Sequence, residues 1–259
     1  MEIKQYIVDA FTDHLFSGNP AAVCMLSQWL PEETMRQIAM ENNLSETAFA
    51  VPIETGYHLR WFTPGNEVEL CGHATLGTAF VVLHLLHPQW DQVAFQTRSG
   101  ILAVKKEGNL LAMDLPSYAL TQVPVTQAME EAIGARPKAA YLGLDLVCVM
   151  ETEQQVRLAS PNLEKVMQLE GEILHMTAQG SDFDCVTRSF APKCAVAEDP
   201  VCGRGHCHVV PLWAKTLGKK EILAYQASKR GGVLHCQDAG ERTVLRGNAV
   251  LFSEGILHL

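Results

Sequence analysis

Cys71-Gly72-His73-Ala74-Thr75-Leu76-Gly77-Thr78-Ala79-Phe80 and Cys202-Gly203-Arg204-Gly205-His206-Cys207-His208-Val209-Val210 each set a Cys-Gly pair in front of an apolar run, about 131 residues apart in a chain of 259. Their surroundings repeat as well. Phe62-Thr63-Pro64 precedes the first pair and Phe190-Ala191-Pro192 the second. Ala94-Phe95-Gln96-Thr97 with Ser99-Gly100 follows the first, and Ala224-Tyr225-Gln226-Ala227 with Arg230-Gly231 follows the second. Cys71 to Gly100 is 29 residues, and Cys202 to Gly231 is also 29. Agreement in order, residue type and spacing points to one duplicated supersecondary unit, with the two copies related by a pseudo-twofold axis.

Each copy reads as α/β (α+β). Pro31-Glu32-Glu33 opens a helix with acids in its first turn, Met35, Ile38 and Ala39 give it an apolar face, and it is expected to end near Asn42-Asn43. Strands are expected at 3–10, 47–52, 58–62, 92–97, 101–105 and 109–114. A second set is expected at 138–142, 146–150, 172–177, 184–190, 222–227, 232–236 and 242–246. Two helices, about 73–86 and 204–217, are apolar on most sides, as helices enclosed by sheet are. The expected architecture is therefore a curled sheet around a helix, twice. The polar, proline-containing stretch from Pro116 to Val125 divides the halves into 1–115 and 116–247.

Composition excludes several classes. The chain is 47% hydrophobic and 19% charged, with a net charge of −9. Its longest basic runs are Lys105-Lys106 and Lys219-Lys220, so it lacks the electrostatic footprint of a nucleic-acid binder. The apolar stretch from Leu76 to Leu86 is too short to span a bilayer and is broken by His84, which argues against membrane insertion. The N-terminus alternates like a strand and carries Asp9, unlike a signal peptide, and a cytoplasmic protein is expected. Eight cysteines with no close-spaced framework then read as reduced thiols, most of them small core residues. The densest cluster, Cys202 to His208, lacks the second half of a four-ligand zinc set, and no metal is expected.

The Cys-Gly turns and one acid are the candidates for chemistry. A helix start presents backbone N–H groups and a positive dipole end, and glycine lets a ligand approach closely, so each turn suits a carboxylate. Equally, Gly72 and Gly203 are what a tight turn before a buried helix requires. Glu46, in Asn43-Leu44-Ser45-Glu46-Thr47-Ala48-Phe49, precedes an apolar strand; it is either a surface acid or one held in a cleft, with Ser45 and Thr47 near enough to orient it. His73 reads either as a site residue or as a satisfied histidine at a helix start, and Glu198-Asp199-Pro200 either as a site loop or as a proline stop.

Taken together, Val8-Asp9-Ala10-Phe11, Gly18-Asn19-Pro20-Ala21-Ala22-Val23, the Glu46 segment, Arg60-Trp61-Phe62-Thr63-Pro64, Cys71-Gly72-His73-Ala74-Thr75-Leu76, Glu198-Asp199-Pro200-Val201 and Arg230-Gly231-Gly232 resemble the PhzF-like family of phenazine biosynthesis, over essentially the whole chain. The resemblance implies the diaminopimelate-epimerase-like fold, with the last strand, about 248–259, returning to the first half and the active site in a cleft. It implies a homodimer and an isomerase that uses no cofactor. The family's proton-transferring glutamate falls on Glu46, and its substrate-contacting histidine and aspartate fall on His73 and Asp199. Ser45, Gly72 and Gly203 become substrate-binding positions, and the substrate a small carboxylated or amino-acid-like molecule.

One departure stands out. Many members read Thr-Gly-Ser-Ala-His where this chain has Cys202-Gly203-Arg204-Gly205-His206, so Arg204 replaces a hydroxyl. A guanidinium there would pair bidentately with a substrate carboxylate or phosphate, pointing to substrate or Asp199 rather than Glu46, or else lie outward in solvent. The departure also admits an amino-acid racemase or epimerase in which Cys71 and Cys202 are paired thiols, their pKa values lowered by the helix starts. A non-catalytic binding or scaffold protein is the remaining class.

Overall fold

The computed structural model describes residues 1–259, which divide into two compact units, Met1–Asp114 with Arg246–Leu259, and Leu115–Leu245. In the first unit the chain runs β1 (Glu2–Ala10), β2 (Asn19–Met25), α1 (Glu32–Asn42), β3 (Glu46–Ile53), β4 (Gly56–Phe62), β5 (Glu67–Val68), α2 (Gly72–Phe80), β6 (Gln92–Thr97), β7 (Gly100–Glu107) and β8 (Leu110–Pro116). The second unit carries β9 (Thr121–Val123), α3 (Gln127–Ile133), β10 (Ala139–Leu142), β11 (Leu146–Val149), α4 (Glu153–Arg157), α5 (Leu163–Val166), β12 (Leu174–Gln179), β13 (Cys185–Ala191), β14 (Val196–Asp199), α6 (Gly203–Leu217), β15 (Glu221–Gln226), β16 (Gly232–Asp238) and β17 (Arg242–Gly247). The chain ends in β18 (Ala249–His258), which pairs with β1.

Both units are mostly antiparallel, with two parallel links each. In the first the strands lie in the order β18-β1-β2-β3-β4-β6-β7-β8, with β2–β3 and β4–β6 parallel. In the second the order is β9-β10-β11-β12-β13-β15-β16, with β11–β12 and β13–β15 parallel. A parallel link needs a crossover, and a helix supplies it each time: α1 and α2 in the first unit, α4 with α5, then α6, in the second. The α/β class and the curled, mostly antiparallel sheets around a helix are what the residue pattern led one to expect.

The two helices of the first unit take opposite faces of its sheet. Ile3 and Cys24 join Met35, Ile38, Ala39, Phe49 and Phe62 in a core under α1. Val8 and Ala21, of opposite parity on the same strands, lie beneath Gly77 of α2. Every residue of α2 from His73 to Ala79 is buried, as the all-round apolar pattern predicts. In the second unit α3, α4 and α5 cover one core, built on Met129, Ile133, Val156, Val166, Leu174, Met176 and Phe190.

Several elements lie outside the expected set. The helix expected over 73–86 is α-helical only to Phe80 and continues as a π-helical turn over Val81–Leu86. β2 opens with Asn19-Pro20-Ala21-Ala22, which have little strand propensity, and it forms because β1 and β3 flank it and bury its side chains. Helices α3 to α5 span seven, five and four residues, too few for a 3.6-residue period to show, and each begins at a capping side chain, Thr126, Thr152 or Asn162. No helix is long and apolar enough to cross a membrane.

Candidate active site

Glu46 is placed by two local devices. Asn43 ends α1 in the left-handed conformation, with φ of 49°. That turns the chain so that Glu46 begins β3 in parallel register with Ala21 of β2. Its side chain is 16% exposed, and Oε2 lies 3.1 Å from His73 Nε2, an ion-pair distance, although the two atoms do not form a hydrogen bond. His73 is buried, the second residue of α2. Its other ring nitrogen, Nδ1, lies 3.1 Å from Asn19 Nδ2 and 3.5 Å from Cys71 Sγ. Four polar side chains from three segments thus converge: Glu46, His73, Cys71 and Asn19.

Local geometry accounts for the last two. Gly18 takes φ of +67°, and a Cβ on it would lie 2.2 Å from the Ala10 carbonyl oxygen. Only glycine makes that turn, and it delivers a fully buried Asn19 to the start of β2. Cys71 is the residue before α2, in extended conformation, and no side chain caps the helix. Thr75 Oγ1 instead donates back to the Cys71 carbonyl, at 2.5 Å. Gly72 opens α2, and Ser45 stands partly exposed just before β3. One donor atom each from Glu46, Cys71 and His73 lie within 4.8 Å of one another.

The second unit builds its turn differently. Cys202 caps α6: its Sγ accepts from Gly205 N at 3.3 Å. Buried Gln226 braces this corner, accepting from Cys202 N at 3.4 Å and donating to the Asp199 carbonyl at 3.0 Å. Asp199 ends β14, half-buried, and Gly203 opens α6, buried. His206 Nδ1 donates to the Cys202 carbonyl at 2.7 Å.

Two expectations need correction here. A helix start was expected to lower the Cys202 thiol pKa; burial, with the Asp199 charge adding to it, instead pushes it well above the ordinary thiol range. Desolvation of a thiolate opposes the half-charge of the dipole here and favours the neutral thiol, whose Sγ caps the helix. Arg204 was expected to point to substrate or Asp199, or into solvent. Its Nε and Nη2 instead grip Asp145 Oδ2 and Oδ1 at 2.8 and 2.5 Å, and Nη2 also reaches Glu172 Oε2 at 2.9 Å. A fully buried carboxylate without a cation would be very costly, and Asp145 claims the guanidinium.

Asp145 anchors a network that the residue pattern did not reveal. It also accepts from His175 Nε2 at 3.0 Å and Ile173 N at 3.2 Å, while His175 Nδ1 and Ser189 Oγ share a hydrogen bond at 2.9 Å. Burial alone would raise its pKa; the His175 hydrogen bond and charge and the Arg204 pair overcome that and hold it at about 2. His208 stacks on Tyr118 with ring centroids 4.4 Å apart and donates from Nδ1 to the Arg204 carbonyl at 3.0 Å. Asp145, His175 and His208 also offer donor atoms within 4.8 Å of one another. Arg204 already occupies both oxygens of Asp145, and the Nδ1 protons of His208 is spent on a carbonyl, so this triad is spoken for as an ion-pair network. No short-range sequence signal exposes it, because Asp145, His175 and Arg204 come from three separated segments.

Comparisons with known proteins identify the family. The family model for phenazine biosynthesis-like protein (PhzC-PhzF) matches residues 8–255. The chain belongs to that family. Among its PhzC-PhzF relatives is an uncharacterized isomerase of Pseudomonas aeruginosa, 43% identical over 259 residues and covering 100% of each chain. A crystal structure of a PhzF-family protein from Enterococcus faecalis matches with a TM-score of 0.97 at 43% identity, covering 100% of both chains. A predicted epimerase of Pseudomonas aeruginosa shares the fold, with a TM-score of 0.76 at 18% identity over 98% of this chain and 99% of the other.

Proposed function

We propose that this protein is an isomerase that moves a proton within a small carboxylated, amino-acid-like substrate, with Glu46 as both base and acid. The observation that supports it most is the Glu46 carboxylate held 3.1 Å from His73 Nε2 at the start of α2. The isomerase name carried by the 43% identical relative points the same way. In this reading the substrate C–H bond breaks as Glu46 forms an O–H bond, and the electron pair enters the adjacent conjugated system. Glu46 then returns the proton to another carbon and is a carboxylate again. No electron leaves the substrate, so the reading asks for no cofactor. His73 steadies the carboxylate, and the N–H groups at the start of α2, from Gly72 on, hold the substrate carboxylate. Ser45, Gly203 and Asp199 are proposed as further substrate contacts.

The test is solvent-deuterium incorporation. Glu46→Gln is expected to lose about 10²- to 10⁴-fold in exchange while still binding substrate. Exchange at the wild-type rate in that variant would make Glu46 a bystander. Cys202→Ala is expected to keep exchanging, because Glu46 both takes and returns the proton and burial disfavours the Cys202 thiolate. We further propose a homodimer in a reducing, cytoplasmic setting, which suits eight free cysteines.

A further inference from the structure

We infer that Asn19 is a positioning residue that holds His73 as the neutral Nε2–H tautomer, so that His73 turns a proton-bearing nitrogen towards Glu46 and does not accept the proton itself. The inference rests on Glu46 and His73 forming the reacting site, and it deepens that reading by assigning where the imidazole proton sits.

The argument starts from what each neighbour can offer. The amide nitrogen of Asn19, 3.1 Å from His73 Nδ1, only donates. The thiol of Cys71, 3.5 Å from the same atom, is a poor acceptor and can turn its S–H to the same lone pair. Two donors aimed at one nitrogen require a lone pair there. The imidazole proton therefore sits on Nε2, which faces Glu46 Oε2 at 3.1 Å, and an ionised carboxylate only accepts. The opposite tautomer would set a proton against two donors and a lone pair against a carboxylate. The imidazolium would satisfy Glu46 but crowd Nδ1–H against Asn19 and Cys71.

Asn19 is also rigid enough for this task. It is fully buried, sits at the first position of β2 where Ala10 pairs with it, and follows Gly18, whose positive φ no other residue adopts cheaply. Fixing a histidine tautomer through the hydrogen bond at its other nitrogen is how a neighbouring group decides what the ring does. Here the consequence is a division of labour. Glu46 is the sole proton acceptor, and the proton it takes is not relayed through His73 but handed back by Glu46.

The experiment reads the ring directly and needs no substrate. Full-length protein labelled with ¹⁵N-histidine is examined near neutral pH by two-bond ¹H–¹⁵N correlation, with His73 identified among the ten histidines as the pattern lost in His73→Gln. The wild type is expected to show an unprotonated Nδ1 and a protonated Nε2. Asn19→Asp keeps the shape but replaces the donor by an acceptor, and is expected to protonate Nδ1. A wild-type ring protonated at Nδ1, or an Asn19→Asp ring with the wild-type pattern, would overturn the inference. The wild-type spectrum decides even if the variant does not fold. Loss of the Glu46 reading would appear elsewhere, as unchanged deuterium exchange in Glu46→Gln, and leaves the ring measurement standing.

Discussion

His206 and His208 stand in the first two turns of α6, buried and uncharged. Burial, reinforced by the charge of His175, lowers both to about 4, against the donation of each Nδ1–H to a backbone carbonyl. Around His208 lie Asp145, Arg204, His175 and the stacked Tyr118; around His206 lie Thr187 and Cys202. A histidine whose folded pKa lies below its unfolded value binds fewer protons when folded, so stability falls as pH drops from about 6.5 towards 4. Asp145, held at about 2, loses its contribution only below its ordinary value, outside that range. Calorimetry between pH 6.5 and 5 is therefore expected to show a falling Tm, with unfolding that takes up nearly two protons at the low end. A flat Tm and no proton uptake would mean that the two rings are not buried neutral. Such titration is not legible in the sequence, where His206 and His208 differ in no visible way from an exposed pair.

The helices α2 and α6 fill matching places in their units, yet their glycines answer to different neighbours. A Cβ on Gly205 would lie 2.8 Å from His175 Nδ1 and Cε1 and 3.2 Å from Ser189 Oγ. His175 cannot retreat, because it is hydrogen-bonded on both nitrogens. On Gly77 the same atom would lie 3.6 Å from Val8 and 3.7 Å from Ala21, an ordinary contact. Gly205→Ala is therefore expected to cost about 1–3 kcal/mol, as overpacking does. Gly77→Ala is expected to be neutral or mildly stabilising, since alanine favours helix and narrows the unfolded ensemble. Chemical denaturation of the two variants is the comparison. Equal losses in both would show that the Gly205 contact relaxes at no cost. The closeness of α6 to His175 also explains the arginine: Gly205 lets the helix start approach, and Arg204, one residue earlier, reaches Asp145.

At the scale of the molecule, the two ends of the chain meet in one strand pair. β18 runs antiparallel to β1 from Glu2 opposite His258 to Ala10 opposite Ala249, so the first unit is completed only by a segment that follows the whole second unit in the chain. Without β18, β1 becomes an edge strand with a row of unpaired backbone groups, a template for association. A chain ending at Gly247 is expected to be less soluble than the full chain and to lose stability. The check is sedimentation of the two proteins purified side by side, and a truncated chain that keeps the full chain's association state and Tm would contradict the argument.

What the sequence determined by itself was the class of fold and the family. Both are carried by local patterns: the twice-stated Cys-Gly turn before an apolar run, the strand alternation, and motifs such as the one around Glu46. Residue spacing and identity are enough for those, because helix starts, turns and strand faces follow from neighbours along the chain. Tertiary structure alone decided that Glu46, His73 and Asn19 meet, that Arg204 belongs to Asp145, and that burial raises the pKa of the Cys202 thiol. Each of these depends on which distant group is nearest and how little water is left around it, and charge, hydrogen bonding and desolvation act through space rather than along the chain.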